Sequence, residues 1–157
     1  MMRGGGDRGW WITQVSMDGL ALEDASEDLR ADKDVVLAAV AQRHSPTLLR
    51  NPKYGWGSAL QYASKALQNT PKIVLAAVAK NGYALEHASA TLRADKGVVS
   101  VAVAKDGCAL RYASKELQKI RNIVLAAISQ NGGVLLHVDE SLHEDKDFVL
   151  AAVKQNG

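Results

Sequence analysis

Apolar residues recur along this chain at a fixed spacing of 25 residues. Valines, glycines and leucines each form such a series in the second half of the sequence. The series are Val74, Val99, Val124 and Val149; Gly82, Gly107, Gly132 and Gly157; and Leu92, Leu117 and Leu142. A fixed period of this length is typical of small helical units that bury a core only by stacking on their neighbours.

The pattern within each unit predicts two short helices. The first, such as 33–42, follows the capping residue Asp32 and is apolar all round. An Asn-Gly or Asp-Gly pair ends it, and we expect the glycine to adopt the left-handed conformation that closes a last turn. The second helix is predicted from about Ala84 to Arg93, because its apolar residues form a single stripe of helical period.

Helices of about ten residues are only marginally stable alone, so contacts between neighbouring units must provide the stability. The predicted fold class is therefore all-α: a right-handed α-solenoid of tandem two-helix repeats, with about five and a half units of 25 residues. We expect a flexible N-terminal segment at 1–6 and a single helical-repeat domain at 7–157. The last unit stops at Gly157 after its first helix, so we expect either that this half-unit caps the array or that the chain is a fragment of a longer array.

Two stretches depart from the period. The unit that begins at Lys33 receives its second half 13 residues late, which places an inserted loop at about 43–57. Near the start, "RGWWITQVSMDG" fits the template with Trp10 and Trp11 at the positions of Val35 and Val36. We therefore expect both tryptophans to be enlarged core residues of an end unit rather than a ligand platform.

The units resemble a family of short helical repeats known only as a domain of unknown function. The resemblance is carried by "DKDVVLAAVAQ", "KIVLAAVAKNGYALEHAS" and "DKDFVLAAVKQNG", and it covers 7–157 apart from the insertion. It implies tandem helix pairs and supplies no catalytic residue to carry over. The chain departs from the pattern at a few positions: Trp10 and Trp11 for paired valines, Ser100 for leucine, Ile120 for the capping aspartate, and Val138-Asp139 for Ala-Ser.

Composition narrows the function classes. The net charge of +2, from 19 basic and 17 acidic residues, gives no overall basic field of the kind that nucleic-acid binders usually show. The single cysteine excludes an intrachain disulfide, and neither a signal peptide nor a membrane-spanning run is present in the sequence. We expect a soluble intracellular protein, located in the cytoplasm and without membrane partners.

The insertion is the first candidate binding element. It combines basic and aromatic residues around two prolines, and insertions in repeat arrays often collect on the binding face. Such residues can contact phosphates and stack on bases, although a surface loop folded back on the array is the simpler interpretation. The candidate residues are Arg43, His44, Arg50, Lys53, Tyr54 and Trp56.

A second candidate is one repeat position in the second half of each unit, which stacking should align along the array. It is variable and polar, as in proteins that read RNA with one repeat per base, but also as in any partly exposed helix face. The candidates are Tyr62, His87, Tyr112 and His137, and Asp24 occupies the same position in the first unit.

Catalytic chemistry is not indicated. The histidines His44, His87, His137 and His143 show no metal-ligand spacing, and Cys108 has no partner cysteine. We expect no enzyme activity, no cofactor, no metal and no small-molecule substrate. The predicted function is a non-enzymatic scaffold for protein–protein interaction. A nucleic-acid (RNA) binding repeat protein and a purely structural segment of a longer array are the alternatives.

Overall fold

The computed structural model describes residues 7–41 and 58–156, and the regular structure in these ranges is helical, with no strand. We number the units by sequence: unit 1 is 8–32, unit 2 is 33–70, units 3 to 5 are 71–95, 96–120 and 121–145, and a half-unit follows from 146. Each begins with an α-helix of nine to eleven residues. These first helices are Arg8–Met17, Lys33–Ala41, Pro71–Lys80, Lys96–Lys105, Arg121–Gln130 and Lys146–Asn156.

The predicted aspartate caps are present at the start of several first helices. Asp95 Oδ1 accepts a hydrogen bond of 2.9 Å from the Val98 amide, and Asp32 Oδ1 accepts one of 3.0 Å from Val35. The Asp32 carboxylate also accepts from Arg8 of unit 1 at 2.7 Å. This carboxylate therefore begins one helix and ties two units together.

The prediction of one continuous second helix from Ala84 to Arg93 is wrong. Each second half is instead a 3₁₀ helix followed, after a break, by a short closing helix. The 3₁₀ helices are Gly19–Asp24, Ala59–Tyr62, Gly82–His87, Gly107–Tyr112 and Gly132–His137. The closing helices are Glu27–Arg30, Lys65–Gln68, Ala90–Arg93, the 3₁₀ turn Leu117–Lys119, and Glu140–His143.

The break arises at an Ala-Ser pair. Ala88 is extended (φ −72°, ψ 155°), and the Ser89 hydroxyl accepts a hydrogen bond of 3.3 Å from the Leu92 amide, which makes serine the N-cap of a new helix. The apolar stripe itself is correct, since Leu85 and Leu92 are both buried. Helical spacing thus identified the buried side chains but could not reveal a serine that restarts the helix.

The glycines after the first helices do not have a left-handed backbone, contrary to expectation. Asn81 ends its helix in an extended conformation (φ −143°, ψ 109°), and its side chain accepts from the Tyr83 amide at 3.0 Å. The following glycine is required by space. A Cβ atom on Gly82 would lie 2.6 Å from the carbonyl oxygen of Ala102 in unit 4, and Gly107 meets the Ala127 carbonyl in the same way.

Neighbouring units repeat the same contacts. Each first helix packs on the next first helix along the chain, and the 3₁₀ helices pack on one another in the same order. A backbone hydrogen bond also crosses each of three successive boundaries. The amides of Ser64, Ser89 and Ser114 donate to the carbonyls of Arg30, Gln68 and Arg93 at 2.9, 3.0 and 2.9 Å. The first of these bonds spans the insertion, so the insertion leaves the register between units 1 and 2 intact.

The core lies between the two halves of each unit and between successive units, and it is built from Val, Ile, Leu and Ala. Trp11 packs against this core, as expected. Trp10 does not: it is 52% exposed and contacts Trp11 edge-to-face, with ring centroids 5.1 Å apart. The equivalent Val35 and Ile73 are fully buried, but unit 1 has no described unit in front of it to cover Trp10.

Candidate partner-binding face

The predicted row of polar residues occupies one defined place in the fold. Its members are the last residues of successive 3₁₀ helices, and we call them the polar row: Asp24, Tyr62, His87, Tyr112 and His137. Because each 3₁₀ helix packs on the next, the row runs across the units. The alignment of these side chains as one binding face stays a prediction, and the side chain of His137 lies outside the described residues.

Two tyrosines of the row interact with a glutamate of the preceding unit. The Tyr62 hydroxyl donates to Glu23 Oε2 at 3.0 Å, which joins units 1 and 2 across the insertion. Tyr112 of unit 4 is influenced by the negative charge of Glu86 in unit 3. Both interactions link neighbouring units, a role that sequence reasoning did not assign to these tyrosines.

Tyr112 has the most elaborate surroundings in the row. Burial, followed by the negative charge of Glu86, raises the pKa of Tyr112. The Arg111 guanidinium lies 5.3 Å from the centre of its ring, and the Tyr83 ring meets it edge-to-face at 6.2 Å. Burial and a hydrogen bond to Cys108 raise the pKa of Tyr83 to about 12. Both phenols therefore stay neutral at physiological pH.

Beneath the row, a side chain at or near the end of the closing segment places a nitrogen against backbone carbonyls of its own unit in four of the five units. We call this repeat position the carbonyl clamp, and its occupants are Arg30, Gln68, Arg93, Gln118 and His143. Arg30 donates to the carbonyls of Ala25 and Glu23, both at 2.8 Å. The Gln118 amide donates to three carbonyls at 2.9 to 3.2 Å, and His143 Nε2 lies 3.1 Å from the Leu135 carbonyl.

The two glutamine clamps have a lysine three residues earlier. Lys65 Nζ donates to Gln68 Oε1 at 3.1 Å, and Lys115 Nζ donates to Gln118 Oε1 at 3.3 Å. The lysine satisfies the amide oxygen while the amide nitrogen satisfies the carbonyls, so both buried polar atoms have partners. Sequence reasoning missed this site, although Lys-x-x-Gln at one repeat position and Arg at its equivalents gave a signal for it.

A groove of about 550 Å³ opens between the closing segments of units 2 and 3. Its lining includes His87 of the polar row, and burial lowers the pKa of this histidine. Gln61, Lys65, Glu86 and Arg93 also line it. Of the described members of the polar row, His87 lines this groove, together with the charged residues Lys65, Glu86 and Arg93.

Charge varies along the face that carries the polar row. In unit 1 the exposed side chains are acidic: Glu23, Asp24, Glu27 and Asp28. In unit 4 the corresponding exposed charged side chains are Arg111, Lys115 and Glu116. The face is therefore acidic in unit 1 and mixed in sign in unit 4.

The insertion candidates Arg43, His44, Arg50, Lys53, Tyr54 and Trp56 lie outside the described residues. The chain leaves the described part after Ala41, at the end of a first helix, and returns at the buried Ser58, which caps Ala59–Tyr62. Tyr62 stands at the far end of that 3₁₀ helix, roughly 8 Å along its axis at about 2 Å per residue. The chain therefore returns from the insertion at the start of the 3₁₀ helix whose last residue belongs to the polar row.

The described residues contain no group of three or more His, Cys, Asp or Glu side chains arranged to hold a metal ion. Cys108 is a half-buried free thiol, and its sulfur accepts a hydrogen bond of 3.1 Å from the side-chain amide nitrogen (Nδ2) of Asn131. In the same part of the chain no helix has both the length and the apolar character needed to cross a membrane.

Comparison with known families agrees with the repeated architecture. A family model described as "Domain of unknown function (DUF4116)" matches three times, at residues 50–93, 72–118 and 120–157. The chain belongs to this family. The resemblance noted from the repeat motif is thereby confirmed for most of the sequence. Residues 1–49 precede the matched ranges, but unit 1 has the same order of first helix, 3₁₀ helix and closing helix.

No curated protein and no solved structure matches the chain significantly. The description of the matched family assigns no activity to its members.

Proposed function

We propose that this member of the DUF4116 family is a non-enzymatic α-solenoid that acts as a scaffold for protein–protein interaction. The observation that carries the proposal is the polar row, in which one variable position recurs at the same place in successive units. The in-register contacts between units, and the backbone hydrogen bonds that Ser64, Ser89 and Ser114 donate to the preceding unit, support a stacked array. A stacked array presents such a row as one extended surface, and extended surfaces are what repeat scaffolds use to bind partners.

The mixed charge of this face favours a protein partner. Exposed carboxylates in unit 1 and exposed cations in unit 4 suit a protein surface that carries both signs. A nucleic-acid backbone has one sign only, and the acidic residues of unit 1 would repel it. Tyr62 is also engaged with Glu23, which leaves its hydroxyl less available to read a base. RNA binding is therefore an outcome that the experiment must distinguish from protein binding.

The test is an affinity capture from a host lysate with three proteins in parallel: wild type, E27R/D28R and the control E144R/D147R. Each variant reverses two exposed acids, but Glu144 and Asp147 lie outside the acidic cluster of unit 1. We expect partners that survive nuclease treatment, that are reduced by E27R/D28R and that are retained by the control.

Two results would contradict the scaffold proposal. One is equal recovery of every captured protein with all three baits, since the face would then not select its partners. The other is recovery of nucleic acid that disappears with nuclease or moderate salt, which would favour the RNA hypothesis. A parallel capture with residues 44–56 deleted tests the insertion. If that deletion leaves all interactions intact, the insertion is not a specificity element.

A further inference from the structure

One of the five carbonyl clamps is open. Arg30, Gln68, Gln118 and His143 all place a side-chain nitrogen against a backbone carbonyl at 2.8 to 3.2 Å. Arg93 has the same place in unit 3, yet its Nε is buried and has no hydrogen-bond partner. A buried donor without an acceptor is rare in native proteins and calls for an explanation, such as a bound water or ligand.

A second residue of the groove wall also has a buried donor without a partner. Gln61 Nε2 is also buried without a partner, and Gln61 and Arg93 both belong to the wall between units 2 and 3. Lys65 adds a positive charge to this wall, with its ammonium already placed 3.1 Å from Gln68 Oε1. Among the described residues of the lining, Glu86 is the one acidic residue, against the two cations Lys65 and Arg93. The groove thus has spare donors and an excess of positive charge.

We propose that this groove binds an oxyanion, a carboxylate or phosphate group, held by the guanidinium of Arg93 and the side-chain amide of Gln61. A guanidinium presents its donors in a planar fork that matches both groups. Terminal torsions of the two long side chains turn their donors toward the groove when the anion enters. Lys65 supplies further attraction at its rim.

The groove is larger than a bare phosphate or carboxylate ion. Its volume of about 550 Å³ lies within the range of small-molecule sites, so it has room for the group that carries the oxyanion. That carrier is either a small free acid or the acidic side chain of a bound peptide, and both share the same recognition chemistry. This inference stands apart from the proposed scaffold function, since a free anion would occupy the groove without any protein partner.

The direct test is ¹⁵N–¹H NMR of the side-chain donors during titration with inorganic phosphate and with acetate, at constant ionic strength. We expect saturable shifts of the Arg93 Nε–H and Gln61 Nε2–H₂ signals. The Arg30 Nε–H and Gln118 Nε2–H₂ signals are internal controls, because these groups already donate to carbonyls. A short glutamate- or phosphoserine-containing peptide forms a third arm. Tighter binding of the peptide identifies a chain-borne oxyanion, and equal binding identifies a free one.

Two variants separate binding from folding. Arg93→Gln introduces the residue that closes the clamp in units 2 and 4, so the fold should persist while the affinity for phosphate falls at least tenfold. Arg30→Gln is the matched control and should leave the affinity unchanged. The proposal is overturned if no anion shifts the Arg93 and Gln61 signals saturably, or if the R93Q variant binds phosphate as the wild type does.

Discussion

Replacing Gly82 by alanine should destabilise the protein, because this glycine is held against the next unit. The added Cβ atom would lie 2.6 Å from the Ala102 carbonyl oxygen, 2.9 Å from the Asp106 Cβ atom and 3.2 Å from the Asp106 amide nitrogen. Backbone atoms cannot rotate away as a flexible side chain can. The two units must therefore separate locally, at the boundary where their first helices pack.

The expected size follows from two opposing effects. Overpacking a well-packed contact typically costs about 1–3 kcal/mol. Replacing glycine restricts the unfolded chain and returns about 0.4–1 kcal/mol where the native backbone tolerates a side chain. The net expectation for Gly82→Ala is a loss of about 1–2 kcal/mol of unfolding free energy. In a chain of this length that corresponds to a decrease in melting temperature of roughly 2–8 °C.

Gly97→Ala provides the matched control. Gly97 lies in the first turn of Lys96–Lys105 and is exposed, and its new Cβ atom would meet the Asp95 side chain at 3.2 Å rather than any backbone. Alanine is the better helix former by about 1 kcal/mol, so G97A should be neutral or stabilising. Urea unfolding followed by far-UV circular dichroism measures both variants. If G82A proves as stable as G97A, close approach between units is not why glycine occupies this position.

Three further predictions concern the clamp, the row and the cap. Gln118→Ala should lower the free energy of unfolding by about 2 kcal/mol, because three backbone carbonyls lose a buried donor. Gln118→Arg keeps a donor at this position and should largely retain that stability. Chemical denaturation of both variants measures the difference. Tyr62→Phe should cost less than about 1 kcal/mol, and a double-mutant cycle with Glu23→Gln should assign that loss to their hydrogen bond. The hydrogen bond from Arg8, and then that from the Val35 amide, lowers the pKa of Asp32 below 3.8. The ionised Asp32 carboxylate therefore stabilises the fold above pH 3.8, and this stabilisation is lost as the pH falls through the folded-state pKa. Asp32→Asn should flatten the acid limb of a profile of unfolding free energy against pH.

Periodicity predicted the units, their register and the position of the insertion. The apolar pattern works because each buried position repeats in the same environment, as Val74, Val99 and Val124 show with no exposed surface. It fails at the first described unit, where Trp10 occupies a template core position but is half exposed. A template assumes that every unit has two neighbours, and the burial of a residue depends on the neighbour as much as on its own type.

The break in the second half was beyond the reach of periodicity. Ala84, Leu85 and Leu92 are buried in either a continuous helix or a 3₁₀ helix with a restart, so the apolar spacing cannot separate the two. The decision rests on the Ser89 amide, which bonds to the Gln68 carbonyl of the preceding unit at 3.0 Å. The local sequence shows that Ser89 is suited to capping a helix. The hydrogen bond that fixes its backbone, however, is accepted by Gln68 of the preceding unit.

The break also explains why the clamp position tolerates arginine, glutamine and histidine. Ending a 3₁₀ helix at Ala113 leaves carbonyls without amide partners, and any long side chain with an N–H donor can satisfy them, as Gln118 does. The requirement is for a donor and not for a charge. Arginine therefore has unused donors and an unused charge at this position, and Arg93 is where they face a groove. A structural position can thus acquire a binding role in one unit, while the same position in units 1, 2, 4 and 5 still places a nitrogen against backbone carbonyls.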